Sequence, residues 1–401
     1  MNSGQNYTWK SNVLPRTRAI AHFSVHLTAF LCCLTTPGQL LAQDVEMASG
    51  ITEPKEFAPF NASAPTCIPP PHRQRVLAFA QDNERQFMQG VSRGLSLAAK
   101  DRGLSYRVAL ADNDANRMIA QVSAFADENV GAVVVAPVDA PSVSPNLKRL
   151  IRDGSYVGAV VPPPAISILN APQYLTGRVL GDAAATYIKS QLKGKANVVL
   201  LTHDSLQFLS PRFAAMRDAL KDMPDVEIVA DISPLTVDEG GGFATMQTIL
   251  LAHPNIDVVL GADAVVLGAL RAMRVAGKAR ANQFIGGIDG EPNAVLEIKR
   301  GGPYKASVSL ASPIFGYAMG QHGADWLAGA SVPQAMDILP YALTAENLAQ
   351  YEADITDPAK VYGDPQRRAV YLKMYGNICY DTRDQYVNFP WSSEQNSAQP
   401  R

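Results

Sequence analysis

The 401-residue chain has no run of basic residues longer than a pair such as Arg367-Arg368, charged residues make up only 18% of it, and its formal charge is −2. That balance leaves no electrostatic footprint for nucleic acid. His72, His203, His253 and His322 are scattered without the spacing of a metal site. Gly240-Gly241-Gly242 lacks the Gly-Lys-Ser/Thr ending of a phosphate-binding loop and reads as a turn at a helix start. His203-Asp204-Ser205 has the residue types of a hydrolase triad, but neighbours on one strand or turn cannot converge as a relay. With no nucleophile, metal or cofactor constellation, the chain reads as a protein that is not an enzyme and needs no cofactor.

Acidic residues are missing from the first 42 positions, which carry Lys10, Arg16 and Arg18 ahead of an apolar stretch from Ala19 to about Leu34. The stretch is interrupted by His22, Ser24 and His26 and is shorter than a secure spanning helix. A basic region, an apolar region and a small residue at Ala42 form the pattern of a signal peptide over 1–42, which predicts export to the periplasm. Cys32 and Cys33 lie too early, and lack the small residues before them, for a lipoprotein site. Removal of the segment takes three positive charges and no negative ones, moving the formal charge from −2 to −5. The mature chain then keeps only Cys67 and Cys379, which an oxidising periplasm permits to pair, with two free thiols as the alternative.

What the chain has in quantity is apolar residues, 47% of the total, enough for one or two buried cores. Residues 43–72, rich in Pro and Ala and ending in Ile68-Pro69-Pro70-Pro71, cannot build a packed element and read as an arm. An alternation of apolar runs with helical spacings then begins. Strands are predicted at Arg75 to Ala80, Tyr106 to Leu110, Ala132 to Ala136 and Tyr156 to Val161, each buried on both faces. Helices are predicted at Phe87 to Arg102, Asn116 to Glu128 and Pro145 to Asp153, with Gly103 and Gly154 as their terminators. After Pro162-Pro163-Pro164 the rhythm restarts, with strands near 197–201, 226–230, 257–260, 284–287 and 305–309. Short joints between such units imply parallel strands and right-handed crossovers, hence two α/β sheets in tandem around a shared cleft.

The runs Met246 to Asp257, Gly261-Ala262-Asp263-Ala264, Leu267 to Ala272, Ala276-Gly277-Lys278 and Gly286 to Gly290 carry a resemblance. So does the opening strand leading into Asn83, Phe87 and Gly94. Over residues 75–343 the chain resembles the ribose-type periplasmic sugar-binding proteins. The resemblance implies two Rossmann-like lobes with parallel sheets joined by a three-crossing hinge, the type I periplasmic binding protein fold. Residues 73–170 plus 311–338 would form the first lobe and 171–310 plus 339–345 the second. The crossings would lie near Pro164 to Pro172, Ala311 to Pro313 and Leu339 to Ala342.

The resemblance also implies ligand contacts. Arg212, at the start of a helix, takes the place of the family's arginine and offers a planar fork to hydroxyls or carboxylates, the alternative being a surface ion pair with Asp204 or Asp218. Asp289 takes the place of the family's aspartate in an Asp-Gly turn, or else caps the helix beginning at Glu291. Asp263 is the analogous candidate one unit earlier. Phe87 and Met88 match the aromatic pair that lies against a sugar ring, although Phe87 is equally a core residue at helical spacing. Gln81, Asp82 and Asn83, ending the first strand, are further polar candidates. Pro162, Pro163, Ala262 and Leu310 replace polar groups of the family, so a pocket here cannot pair every hydroxyl of a free aldose unless another loop compensates.

Residues 346–401 remain as an extension carrying Tyr351, Tyr362, Tyr371, Tyr375, Tyr380 and Tyr386, too aromatic for a disordered tail. It is expected to pack on the lobes, as extra core, as a restraint on the hinge, or as a partner surface. The expected function is capture of a small solute, a sugar, polyol or related compound, for an inner-membrane ABC-type permease. The alternative is presentation of the closed form to a chemoreceptor or sensor kinase.

Overall fold

The computed structural model describes residues 50–395. The expected signal peptide at 1–42, the first residues of the arm and the end of the extension lie outside the described residues. No helix among the described residues is long and apolar enough to cross a membrane.

The first half runs β1 (Gln74–Gln81), α1 (Gln86–Asp101), β2 (Ser105–Leu110), α2 (Ala115–Asp127), β3 (Val130–Val135), α3 (Ala140–Arg152), β4 (Tyr156–Val160) and β5 (Ser167–Asn170). The second runs α4 (Gln173–Gln191), β6 (Ala196–Leu201), α5 (Ser210–Leu220), β7 (Val226–Ile232), α6 (Glu239–Ala252), β8 (Val258–Leu260), α7 (Asp263–Val275), β9 (Phe284–Asp289), α8 (Pro292–Lys299) and β10 (Tyr304–Ser309). After these come α9 (Ser312–Leu327), β11 (Ala335–Ile338), β12 (Tyr341–Leu343), α10 (Leu348–Thr356), α11 (Pro358–Gly363), α12 (Pro365–Tyr371) and β13 (Leu372–Tyr375).

Seven strands form one sheet in the order β13-β11-β5-β4-β3-β1-β2 and six form the other in the order β12-β10-β9-β8-β6-β7. All neighbours are parallel except β13 on β11 and β12 on β10. β3, the all-apolar Val130–Val135, is buried along its whole length between helices on both faces. β2 departs from the expectation of two buried faces: it pairs on one side only, and Val108 is 46% exposed. α3 starts earlier than predicted because Asp139 caps it, accepting from the Ser142 amide, and Pro145 is carried inside the helix.

The chain passes between the sheets at 171–172, between β5 and α4, and returns at 310–311, between β10 and α9. It passes over again at 339–340, between β11 and β12. α9 then packs its backbone tightly on α1: a Cβ added at Gly316 would lie 2.4 Å from the Val91 carbonyl oxygen. At the second crossing Ala311 is left-handed (φ 43°), a conformation costly for alanine, and the Ser309 hydroxyl accepts its amide at 2.8 Å.

The extension does not stop beyond the second sheet. It returns to the first as edge strand β13, and its aromatics Tyr351, Tyr371, Phe389 and Trp391 are buried. The described part of the arm forms no long element, yet it is packed, contrary to what its composition suggested. Phe57 is buried with its ring 6.0 Å from Trp391, and single bridges pair Ile51 with Val387 and Pro59 with Tyr375. Cys67 of the arm is joined to Cys379 of the extension by a disulfide across a separation of 312 residues. At its far end the extension reaches α4, where the Glu394 carboxylate accepts from the amides of Tyr174 and Leu175. These are amides at a helix N-terminus that its N-cap Pro172 leaves without a side-chain partner.

A crosslink that closes so long a loop restricts the unfolded chain most. Reduction, or replacement of both cysteines by serine, is expected to remove about 2–4 kcal/mol of stability, read as a lower thermal midpoint. An unchanged midpoint would show that arm and extension hold without it.

Candidate functional site

The carboxyl ends of β1, β3, β4 and β5 in the first sheet face those of β6, β8 and β9 in the second, and between them lies a cavity of about 260 Å³. Open parallel sheets place ligands at such strand ends, where loops can vary while the strands stay fixed. A wider groove of about 500 Å³ on the second lobe, bordered by Tyr187, Phe284 and Lys305, shares no residue with this cleft.

Arg212 stands in the first turn of α5 and is only 6% exposed. Its Nε donates to Gln173 Oε1 at 2.9 Å and its Nη1 lies 3.9 Å from Asp289 Oδ1. Burial pulls its pKa down, opposed by the Asp289 charge. It does not make the surface ion pairs that were the alternative: Asp204 pairs with Arg217, and Asp218 accepts from Tyr174 and Lys221. Its backbone sits against α4, where a Cβ at Gly177 would fall 1.8 Å from the Arg212 carbonyl oxygen, so only glycine permits this approach.

Asp289 ends β9 with φ 122°, a left-handed strained value, and Gly290 follows at 69°. The helix α8 has Glu291 as its N-cap and no side-chain cap bond, so Asp289 is not the capping residue and its carboxylate is left to the cleft. Burial pushes that carboxyl up, while Arg212 and then Arg85 pull it down. Phe87 and Met88, opening α1, both line the cavity, and the Phe87 ring also packs 5.7 Å from Phe315, so core and cleft share it.

Three of the expected residues, Asp263, Gln81 and Asn83, do not line the cavity. Asp263 is fully buried and accepts from the Tyr304 hydroxyl (2.6 Å), the Ser307 hydroxyl (2.8 Å) and the Glu291 amide (2.8 Å). It braces the β9–α8 turn from beneath, and burial above all pushes its carboxyl up to about 7. Gln81 is buried and donates to the Asn83 carbonyl, while Asn83 is engaged by Asn113 of the β2–α2 loop and by Asp82 and Arg85 of its own β1–α1 loop. From that loop Asp82 and Arg85 reach the cavity, ion-paired at 3.1 Å. Ala262 and Leu310 line it as apolar patches where the resemblance led one to look for amides.

Glu291 and His203 were not among the expected ligand contacts, yet both line the cavity. The only signal was position, each two residues beyond a residue that ends a strand, Asp289 and Leu201. The Glu291 carboxyl has no hydrogen bond or ion pair among the described residues, and burial with the charges of Asp289 and Asp263 pushes it up to about 8. His203 is 4% exposed, its Nε2 has no partner, and burial keeps the ring neutral.

Residues 76–331 match the model of a family described as periplasmic binding protein domain. The chain is similar to the ribose import binding protein RbsB of Bacillus subtilis, 25% identical over 221 residues that cover 53% of this chain and 68% of that one. It is also similar to the D-apiose import binding protein of Actinobacillus succinogenes, 24% identical, covering 58% of this chain and 75% of that one. Among solved structures, an ABC transporter solute binding protein from Bacillus halodurans with bound myo-inositol superposes with a TM-score of 0.61 at 21% identity. That match covers 70% of this chain and 98% of the other.

A carboxyl that holds its proton more tightly when folded adds stability below its unfolded pKa and loses it as pH rises through the folded one. Glu291 and Asp263 therefore destabilise the ligand-free protein as pH rises toward 8. His203 and His322, kept neutral by burial, act in the opposite sense but only below their ordinary 6.5. The thermal midpoint is expected to fall between pH 6.5 and 8, and Glu291→Gln to flatten that fall; an identical slope in the variant would show Glu291 ionised throughout.

Proposed function

This chain belongs to the periplasmic binding protein family, and from that premise we propose that its cleft captures a small sugar- or polyol-like solute. The protein then delivers it to an inner-membrane ABC-type permease, working in the periplasm once its signal peptide has been removed. One observation carries the reading: a buried guanidinium and a carboxylate, Arg212 and Asp289, converge on a cavity that both lobes wall. A planar donor fork beside an acceptor-only carboxylate suits a pair of neighbouring hydroxyls, each of which both donates and accepts. The names of the similar proteins, ribose and D-apiose import binding proteins, support a solute of this kind.

The same geometry supports binding without turnover. His203 packs edge-on against Phe213, and Asp204, its sequence neighbour, is held by Arg217, so the two do not form a relay. The lobes are joined by short crossing segments and touched on both sides by the extension, an arrangement that supports closure about the crossings when a ligand bridges both walls.

Calorimetry of the mature protein against sugars and polyols, with small-angle scattering of free and bound forms, tests this. A binding sugar or polyol is expected to be returned unchanged and to reduce the radius of gyration. Arg212→Ala and Asp289→Ala are each expected to weaken it at least tenfold, about 1.4 kcal/mol or more. Full affinity in both variants, identical scattering with and without ligand, or conversion of the ligand would refute it.

A further inference from the structure

The polar groups of the cleft are not shared evenly between its walls. From the second lobe come the polar Arg212, Asp289, Glu291, His203 and Gln173, set among apolar residues such as Phe208, Phe213 and Val237. The first lobe offers Asp82 and Arg85, which are paired to each other, and otherwise an apolar surface that includes Phe87, Met88, Pro137, Val160, Val161 and Leu169. At the crossing between the walls stands Leu310.

Two groups on the polar wall are without partners. His203 is 4% exposed with no partner for Nε2, and the half-buried Glu291 carboxyl makes no hydrogen bond or ion pair among the described residues. A buried polar atom left unpaired, as His203 Nε2 is, is costly, and in a binding cleft the ligand can supply what is missing there and can bond the half-buried Glu291 carboxyl as well. Arg212 is already engaged in part by Gln173 and Asp289, so Glu291 and His203 are the wall's uncommitted groups.

We propose that the cleft selects a two-faced ligand of the sugar or polyol class, hydroxylated on the edge that meets the second lobe and deoxy, alkyl or thioether on the edge that meets the first, with Glu291 and His203 setting that preference. This rests on the reading that the cleft binds a sugar- or polyol-like solute. A hydroxyl turned to the part of the first-lobe wall formed by Phe87, Met88, Val160 and Val161, away from Asp82 and Arg85, leaves water and finds nothing in exchange, which costs about tenfold in affinity or more. A methyl or methylthio group in the same place is transferred from water to Phe87, Met88 and the valines, a favourable step of several-fold per carbon. On the other wall a hydroxyl can receive a hydrogen bond from, or give one to, His203 Nε2 and the Glu291 carboxyl.

Matched pairs put this to the test by calorimetry on the mature protein: D-ribose against 5-deoxy-D-ribose and 5-methylthio-D-ribose, and D-galactose against D-fucose. In at least one pair the deoxy or methylthio compound is expected to bind tenfold or more tightly than its hydroxylated counterpart. Glu291→Gln and His203→Phe should each weaken that compound about tenfold at an unchanged unfolding cooperativity. Leu310→Gln, which puts an amide on the apolar side, should narrow the gap within the pair. Equal or tighter binding of the hydroxylated member in every pair that binds, or full affinity in both Glu291 and His203 variants, would overturn the proposal while leaving the sugar reading in place. Absence of binding by every sugar and polyol tried would instead remove that reading, and this proposal with it.

Discussion

A guanidinium that is 6% exposed cannot remain charged without partners, and the need to pair Arg212 organises the centre of this protein. Its partners come from separate elements, Gln173 from the first turn of α4 and Asp289 from the end of β9. To bring them within reach, α5 presses on α4 at Gly177, with no room for a side chain, and β9 ends in a strained residue followed by glycine. One buried charge thus couples the packing of two helices to the conformation of a strand end. The carboxyl side of that arrangement is reinforced from below, where Asp263 anchors the Glu291 amide through its own buried network with Tyr304 and Ser307.

The hinge is held by hydrogen bonds whose partners come from the far end of the chain. Asp337 on β11 accepts from Asn170 on β5 (2.8 Å) and from the Tyr375 hydroxyl on β13 (3.1 Å). Ser309, at the second crossing, donates to the Tyr351 hydroxyl at 2.6 Å. Tyr351, Tyr371 and Tyr375 of the extension therefore go into core and hinge packing, where their hydroxyls meet Ser309, Asp354 and Asp337. Through Glu394 the same segment touches the second lobe, so it spans both sides of the crossings while the disulfide tethers it to the arm.

Much of the two-sheet pattern could be read in the order of residues, because a strand buried on both faces must be apolar throughout, as Val130–Val135 is. The parts that escaped notice lack such a signature. β5, β11, β12 and β13 are only three or four residues long, and Ser167–Asn170 and Tyr341–Leu343 exist as strands because longer neighbours supply the other half of the ladder. α9 is buried almost all round, from Pro313 to Trp326, so it shows no polar face and no helical period in its hydrophobicity. The cleft residues divide in the same way. Arg212, Asp289, Phe87 and Met88 stand in a recognisable run, whereas Glu291 and His203 differ from neighbouring loop residues only in the direction that the backbone turns them.

The sequence alone determined what depends on neighbours in the chain: the alternation of apolar runs and helical spacings, the terminators Gly103 and Gly154, and the absence of any local catalytic or metal motif. Tertiary structure decided what depends on residues far apart, such as which polar groups at the strand ends face the cavity and which, like Asp263, are consumed beneath it. Only the fold brings Glu394 to α4, since that contact joins positions more than 200 residues apart and leaves no local trace, whereas the pairing of Cys67 with Cys379 could be expected from cysteine count alone. The physical reason is that hydrophobic periodicity is a property of a segment, whereas the pairing of a buried polar group is settled by whichever elements pack around it.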